Sequence, residues 1–222
     1  MAAVLQTLEF ETAPRPTATV MLMHGLGADG SDFAPIVQEL APALAAVGPV
    51  RFVFPNAPQQ PVTINGGYVM PAWYDILGPG RPEDAQGLHR SRTAIEALIA
   101  REKERGTPAN RLVLAGFSQG CAMALLTGLR HEETLAGIVG LSGYLPLAAS
   151  VAAERSEANR ATPVFLAHGS EDAVVVPARA EATREALLNL GQPVEWHSYP
   201  MGHSVCMEEI ADIGRFLVRV LA

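Results

Sequence analysis

Residues 112–124 of this chain have the sequence LVLAGFSQGCAMA. An apolar run of strand length ends in Gly-x-Ser-x-Gly, and a run of small residues with helical potential follows at once. This pattern predicts a sharp strand-to-helix turn that raises the Ser118 hydroxyl above the edge of a sheet, the form of a nucleophile elbow. Gly116 and Gly120 lack Cβ atoms, so the turn can be tight and the helix can lie close to the strand. The motif alone is a weak signal, because ordinary glycine-rich turns also produce it by chance.

Length and composition favour one α/β domain. The 222 residues with 49% apolar content suit a single large core, and we expect residues 1–222 to form that one domain. A net charge of −7 without a basic run disfavours a nucleic-acid partner. No stretch has the character of a membrane span or a secretory signal, so we expect a cytoplasmic protein without stable membrane insertion. Cys121 and Cys206 form neither a zinc pattern nor a disulfide framework, which favours two reduced thiols.

Apolar runs alternate along the chain with segments of helical periodicity. We expect strands at residues 4–11, 18–23, 51–54, 111–115, 136–141, 163–167 and 194–199, and helices from residue 31 or 32 to 44 and over 84–105, 119–129, 177–190 and 204–221. Continuous apolar strands between helices predict a mostly parallel sheet with helices on both faces. Residues 55–82 are rich in proline, glycine and aromatic residues, and we interpret them as an irregular wall or lid of a substrate pocket.

A second glycine-rich loop, HGLGADG at residues 24–30, follows an early expected strand. Its glycines indicate a backbone that bends tightly or approaches another group closely. The spacing of a dinucleotide-binding loop is absent, and no Gly-Lys-Ser/Thr follows as in a phosphate-binding loop. In hydrolases with a nucleophile elbow, a His-Gly loop at this place donates one N–H of an oxyanion hole.

Three residues suited to nucleophilic catalysis each follow an expected strand: Ser118, Asp172 and His203. The carboxyl ends of parallel strands meet at one edge of a sheet, so these side chains can converge there. A base, a carboxylate that holds it and an attacking serine are the groups that acyl transfer requires. Glu171 and Asp75 remain alternative acids. For the base, only one of the six histidines lies in a Gly-His loop before the last helix.

With these motifs in place, the chain resembles the carboxylesterase/acyl-protein thioesterase family of α/β-hydrolases, also named the phospholipase/carboxylesterase family. The matching segments run in family order over nearly the whole chain: HGLGADG at 24–30, PNAP at 55–58, WYD at 73–75, GFSQG at 116–120, HG at 168–169 with Asp172 and VP at 176–177, and GH at 202–203. One departure is Cys121, where the family often has a second glycine. The residue is still small, so we expect close helix packing to survive.

The resemblance implies roles for five residues. Ser118 is the expected nucleophile, His203 the general base and Asp172 the acid, and the backbone N–H groups of Leu26 and Gln119 are the expected oxyanion hole. The implied activity is hydrolysis of carboxylic esters or thioesters, for which we expect short to medium acyl chains. Lysophospholipase or acyl-protein thioesterase activity is the alternative. The resemblance implies no metal and no organic cofactor, a small-molecule or lipid ester as substrate, and it leaves a homodimer open.

The segment at residues 143–162 is too short for a separate cap domain, so we expect a shallow, open substrate groove walled by residues 55–82. The candidate apolar lining residues are Ile64, Val69, Trp73, Leu77 and Leu145, with Leu26 beside them. A non-catalytic ligand-binding relative is disfavoured because all three triad members are present. An enzyme of the dienelactone-hydrolase type would have cysteine at the elbow, and no peptide subsite indicates a protease.

Overall fold

The computed structural model describes residues 5–222, which contain a seven-stranded central sheet and a separate two-stranded hairpin. The strands in this range are β1 Thr7–Glu11, β2 Ala18–Met23, β3 Val50–Pro55, β4 Gln59–Val62, β5 Tyr68–Pro71, β6 Leu112–Phe117, β7 Gly137–Leu141, β8 Val164–Gly169 and β9 Val194–Tyr199. The central sheet has the order β1-β3-β2-β6-β7-β8-β9; β1 is antiparallel to β3, and the other neighbouring pairs are parallel. The expected mostly parallel sheet is confirmed. Of the first expected strand, residue 4 lies outside the described residues.

Helices cover both faces of this sheet. In the described part of the chain they are α1 Ile36–Leu44, α2 Ala85–Glu104, α3 Gln119–Gly128, α4 Ala148–Glu154, α5 Pro177–Asn189 and α6 Met207–Val220. The sheet divides the hydrophobic core into two clusters, and alternate residues of β6 belong to each. Leu112 and Leu114 pack on the side of α2 and α3, whereas Val113 and Ala115 pack on the side of α1 and α6. Burial on both faces explains why the central strands are apolar throughout.

The first helix begins later than the sequence predicts. Neither Ser31 nor Asp32 caps it, because α1 starts at Ile36 after Pro35. The Ser31 hydroxyl donates to the side chain of Asp29 instead, and the N–H of Asp32 bonds to the carbonyl of Asp29. These local bonds hold a turn where the helix was expected.

Residues 55–82 are more regular than predicted, because they contain the hairpin of β4 and β5. Pro61 pairs with Val69, and Pro71 pairs with Gln59. Proline within a run of residues usually argues against a strand, because it has no N–H to donate to a neighbouring strand. Both strands of a two-stranded ribbon have a free edge, however, where the missing N–H costs little. Gly66 and Gly67 at φ of 67° and 80° form the turn.

The chain between β7 and β8 contains an α-helix and a single 3₁₀ turn, Glu157–Asn159, that the sequence pattern does not predict. The seven-residue helix α4 lies there, with Val151 buried in the core. The last helix, expected from residue 204, begins at Met207. The residues before it belong to the loop that carries His203.

Candidate active site

The turn at Ser118 is tight because two glycines let the backbone segments meet. A Cβ on Gly116 would overlap the carbonyl of Gly120, and a Cβ on Gly120 would overlap the carbonyl of Met23. Ser118 itself has φ of 56° and ψ of −115°, a conformation that is rare for a residue with a side chain. Strained backbone of this kind is typical of functional sites. The side chain is half-buried, at the end of β6 and the start of α3.

The loop after β8 holds Asp172, which is 3% exposed. Its Oδ2 lies 2.7 Å from Nδ1 of His203, and its Oδ1 accepts the backbone N–H groups of Val174 and Val175 at 2.8 and 2.9 Å. Burial alone would raise the pKa of Asp172. The hydrogen bonds from His203, Val175 and Val174 outweigh burial together and bring the pKa below its ordinary value. The carboxylate is therefore ionised at neutral pH and can accept a hydrogen bond from the imidazole N–H.

His203 lies in the loop between β9 and α6, and its ring packs on Phe117 with 4.7 Å between the ring centroids. Phe117 directly precedes Ser118, so the imidazole lies beside the elbow. A proton on Nδ1 shared with Asp172 leaves Nε2 as the acceptor in the neutral ring. No hydrogen bond joins Ser118 to His203 among residues 5–222, and such bonds often tighten only with substrate. The role of Phe117 was missed; its place before the elbow serine was the available signal.

The two alternative acids have other surroundings. Asp75 accepts the backbone N–H of Thr63 at 2.7 Å and its hydroxyl at 2.5 Å, which ties the hairpin to the following segment. Glu171 is exposed. Of the three candidate carboxylates, the structure brings Asp172 to His203.

The two expected oxyanion donors lie in the loop after β2 and at the first residue of α3. In the part of the chain that the structure describes, the backbone N–H groups of Leu26 and Gln119 have no acceptor. Gly25 lies against the elbow, since a Cβ there would be 3.3 Å from Cβ of Ser118. Free N–H groups at a helix start and in an adjacent loop can stabilise an anion.

The predicted lining residues divide into two sets. Ile64 and Val69 are 50% and 56% exposed on the hairpin, and Leu77 is half-buried. Trp73 and Leu145, by contrast, are 1% and 5% exposed and belong to the hydrophobic core. For these two the expectation of a pocket wall needs correction. The position of Trp73 in an aromatic-rich loop predicts a lining residue, but its indole Nε1 donates to the carbonyl of His24 in the interior, 2.9 Å away.

Cys121 fits against two glycines. A Cβ on Gly143 would overlap the Cβ and Sγ of Cys121, and a Cβ on Gly140 would lie 2.9 Å from that Sγ. The Cys121 side chain thus occupies the space that the missing side chains of Gly140 and Gly143 leave, and the helix still packs closely on the neighbouring strand and loop. Burial raises the pKa of the Cys121 thiol to about 12. The thiol is neutral and does not compete with Ser118 as a nucleophile.

Within the described range, no cluster of three or more histidine, cysteine, aspartate or glutamate side chains is arranged to hold a metal ion. No helix in that range combines the length and apolar character that crossing a membrane requires.

A surface cleft of about 480 Å³ lies along α2 and shares no residue with the loops of Ser118, Asp172 or His203. The cleft is lined by His89, Arg92, Thr93, Glu96, His131, Glu132 and Glu133.

Comparison with known proteins gives consistent results. The family model described as Phospholipase/Carboxylesterase matches residues 10–221. A protein of Yarrowia lipolytica named acyl-protein thioesterase 1 is 42% identical over 207 residues, which cover 90% of this chain and 91% of that one. A protein of the same name from Mycosarcoma maydis is 41% identical over 240 residues, covering 99% and 98%.

Solved structures extend the agreement to the fold. The crystal structure of Arabidopsis thaliana SOBER1 superposes with a TM-score of 0.86 at 30% identity, covering 92% of this chain and 99% of that one. The crystal structure of Zea mays acyl-protein thioesterase 2 gives a TM-score of 0.82 at 27% identity, covering 98% and 99%. Together with the elbow and the Asp172–His203 pair, these matches show that the chain belongs to the phospholipase/carboxylesterase family of α/β-hydrolases.

Proposed function

We propose that the chain hydrolyses carboxylic esters and thioesters through an acyl-enzyme formed on Ser118. The observation that carries the proposal is the 2.7 Å contact between Asp172 and Nδ1 of His203, beside a strained Ser118. The adjoining loop and helix start supply the backbone N–H groups of Leu26 and Gln119, which have no acceptor among residues 5–222. Each part corresponds to one requirement of acyl transfer: a nucleophile, an oriented base and an oxyanion site.

In the proposed reaction, Nε2 of His203 takes the proton of Ser118 as Oγ attacks the acyl carbonyl carbon. The negative charge that develops on the carbonyl oxygen is stabilised by the N–H groups of Leu26 and Gln119, and one such donor contributes about 3 kcal/mol in comparable enzymes. The C–O or C–S bond then breaks, and the alcohol or thiol leaves with the proton from His203. Water attacks the acyl-enzyme by the same route and releases the acid.

The surroundings of the elbow support an acyl substrate. The hairpin exposes Ile64, Tyr68 and Val69, and the acid loop exposes Val174 and Val176. Both segments follow strands at their carboxyl ends, the edge of the sheet where Ser118 lies. Apolar side chains at this edge would contact the hydrocarbon part of a bound ester and leave the leaving group facing solvent.

A second candidate is the thioester of an S-acylated protein as the natural substrate. It is favoured by the relatives of about 40% identity that are named acyl-protein thioesterase 1. An open site suits a bulky leaving group better than a closed tunnel would. Short- to medium-chain carboxylic esters and lysophospholipids are the competing substrate classes. One assay compares all three classes.

The assay uses purified protein with p-nitrophenyl esters from acetate to palmitate, an S-acylated peptide and a lysophosphatidylcholine. We expect hydrolysis that is abolished in Ser118→Ala, and labelling of Ser118 by one equivalent of a fluorophosphonate. The highest kcat/KM among the three substrate types identifies the class. A folded wild-type protein that neither hydrolyses any ester nor reacts with the fluorophosphonate would overturn the proposal in favour of a ligand-binding relative.

The role of the hairpin is tested by Val69→Asp and Ile64→Asp. A charge in the acyl contact should lower kcat/KM for octanoate and longer esters by roughly tenfold, with little change for acetate, because only longer chains reach these side chains. Leu188→Asp is the control, since Leu188 is similarly exposed on α5 near its C-terminal end. Equal effects on acetate and octanoate would show that the hairpin does not contact the acyl chain.

A further inference from the structure

His24 is buried beside the oxyanion loop and has a defined protonation state. The backbone N–H of Ala57 lies 3.0 Å from Nε2 of His24, so Nε2 accepts and carries no proton. Nδ1, 2.7 Å from the carbonyl oxygen of Gly25, therefore carries the proton of the neutral ring and donates it. The side chain is 1% exposed. Burial lowers the pKa of His24, and the Gly25 carbonyl with Asp29 and Asp32 offsets only part of that effect, so the ring is neutral at neutral pH.

The bond to Gly25 bears directly on Leu26. The carbonyl oxygen of Gly25 and the N–H of Leu26 belong to one planar trans peptide, in which the C=O and N–H bonds point in opposite directions. A donor that fixes the oxygen thereby fixes the direction of the N–H. The N–H of Ala28 also donates to the Gly25 oxygen, at 3.3 Å. The peptide is thus held from the side opposite to the expected oxyanion.

The second expected oxyanion donor, the N–H of Gln119, belongs to a residue that hydrogen bonds connect to His24. Trp73 Nε1 donates to the carbonyl of His24 at 2.9 Å, and the backbone N–H of Trp73 donates to Oε1 of Gln119 at 3.0 Å. Nε2 of Gln119 donates in turn to the carbonyl of Tyr74 at 2.9 Å. All four residues are buried. One hydrogen-bonded network thus connects His24, whose ring contacts the Gly25–Leu26 peptide, to Gln119, which supplies the second expected donor.

We propose that His24 is a positioning residue of the oxyanion hole: its Nδ1–H holds the Gly25–Leu26 peptide so that the Leu26 N–H faces the reacting carbonyl oxygen. His24 makes no contact with the expected substrate and acts only through this peptide. The inference rests on the proposed function, since an oriented N–H matters only if an oxyanion forms at Ser118. The competing explanation is that His24 only fastens the loop to Ala57 and contributes to stability.

Two substitutions separate the two ring nitrogens. In His24→Asn the amide nitrogen can occupy the place of Nδ1 and donate to Gly25, while the contact to Ala57 is lost. In His24→Gln the amide oxygen can occupy the place of Nε2 and accept from Ala57, while the donor to Gly25 is lost. Both variants remove one buried hydrogen bond, so their losses of stability should be similar.

We expect His24→Gln to lower kcat about 10- to 100-fold with KM nearly unchanged, because a misplaced donor weakens only the transition state. His24→Asn should retain kcat within a few-fold. Affinity for an alkyl boronic acid, which forms a tetrahedral adduct on serine, should fall in His24→Gln by the same factor as kcat. Equal kcat values in the two variants, or kcat losses that follow the unfolding temperatures, would overturn the proposal.

A measurement on the wild-type protein does not depend on either variant folding. The ¹⁵N chemical shifts of the His24 imidazole should show a protonated Nδ1 and an unprotonated Nε2, unchanged across neutral pH. The opposite tautomer would overturn the proposal. Failure of the proposed function is distinguishable, because the wild type would then lack Ser118-dependent hydrolysis altogether, whereas a wrong role for His24 leaves that hydrolysis intact.

Discussion

Two buried carboxylates at opposite edges of the sheet, Glu102 and Asp172, solve the same electrostatic problem in different ways. Both side chains are 0% exposed. Burying a carboxylate is costly unless hydrogen bonds or opposite charges compensate for the lost water. Glu102 lies at the amino ends of the parallel strands, and Asp172 lies at their carboxyl ends, where ligands bind in sheets of this kind.

At the amino-end edge, permanent charges surround the carboxylate. Glu102 pairs with Arg51 at 2.9 Å, Arg105 at 2.9 Å and Arg101 at 3.2 Å, and it accepts the hydroxyl of Thr19 at 3.1 Å. These groups come from β2, β3, α2 and the residue directly after that helix, so the cluster joins the helix to the start of the sheet. Guanidinium groups do not lose their charge at any ordinary pH, so Glu102 keeps positively charged partners throughout.

At the carboxyl-end edge, the partners are backbone N–H groups and imidazoles. Within residues 5–222, no Arg or Lys lies within ion-pair distance of Asp172; its only charged-pair candidates are His203 at 2.7 Å and His168 at 3.3 Å. In the proposed mechanism Asp172 stabilises protonated His203, and a guanidinium beside Asp172 would offset the charge that does so. The arginines neutralise the charge of Glu102 permanently, which stabilises the fold. The charge of Asp172 is neutralised only when a histidine beside it is protonated, which suits a catalytic role.

The largest expected effect is on activity, at Asp172. Asp172→Asn should lower kcat about 10³- to 10⁴-fold, because an amide cannot both hold the catalytic tautomer and stabilise the imidazolium. Ester hydrolysis under saturating substrate checks this. The control is Glu171→Gln, which changes the exposed neighbouring carboxylate and should leave kcat within a few-fold. If Glu171→Gln caused the larger loss, the acid would be misassigned.

The next effect is on stability, at Glu102. Glu102→Gln leaves buried Arg51 and its neighbours without their shared partner and should lower the free energy of unfolding by about 4 kcal/mol. The specific activity of the folded fraction should not change, because the cluster lies at the far edge of the sheet. Urea unfolding measures the first quantity and active-site titration corrects the second. Glu104→Gln, on an exposed position of the same helix, is the matched control; a loss of kcat per active site would break the comparison between the two edges.

The carboxyl-end edge could be predicted from sequence far better than the amino-end edge. Ser118, Asp172 and His203 each lie within a few residues of the end of a strand, so local patterns place them at one edge without any knowledge of side-chain contacts. Glu102 and Arg51 are 51 residues apart in sequence. No local pattern distinguishes a glutamate that turns inward from one on the solvated face of a helix, and the cluster was therefore not predicted.

The errors in predicting the elements have similar causes. The prolines in β4 and β5 indicated a loop, because the sequence does not show that both strands have free edges. Trp73 was expected in the pocket, because a loop position does not reveal that the indole N–H finds an acceptor in the interior. Both outcomes depend on tertiary contacts, which override local preference. The short helix α4 has too few residues for a periodic signal.

A third buried carboxylate, Glu209, lacks both the arginine partners of Glu102 and the close hydrogen bonds of Asp172, and it gives the smallest expected effect. It lies in the first turn of α6, six residues after His203, and neither carboxylate oxygen has a hydrogen-bond partner among the described residues. Burial raises the pKa of Glu209 from 4.5 to about 7, and the nearby backbone N–H of Cys206 counteracts this only in part. Between pH 4.5 and about 7, Glu209 is therefore protonated in the folded protein and ionised in the unfolded chain.

The sign of the pH dependence follows from this difference. As pH rises from 4.5 to 7, the native state binds more protons at this position than the unfolded state, so the stability contributed by Glu209 falls; above pH 7 the loss is complete, at about 3 kcal/mol. Glu209→Gln stays neutral and should raise the unfolding temperature at pH 8 but hardly at pH 5. Glu208→Gln, on the exposed neighbouring position, should do neither. Equal gains for Glu209→Gln at both pH values would mean that the carboxylate is compensated as fully as Glu102. The edge that carries the candidate site would then tolerate a permanent buried charge after all.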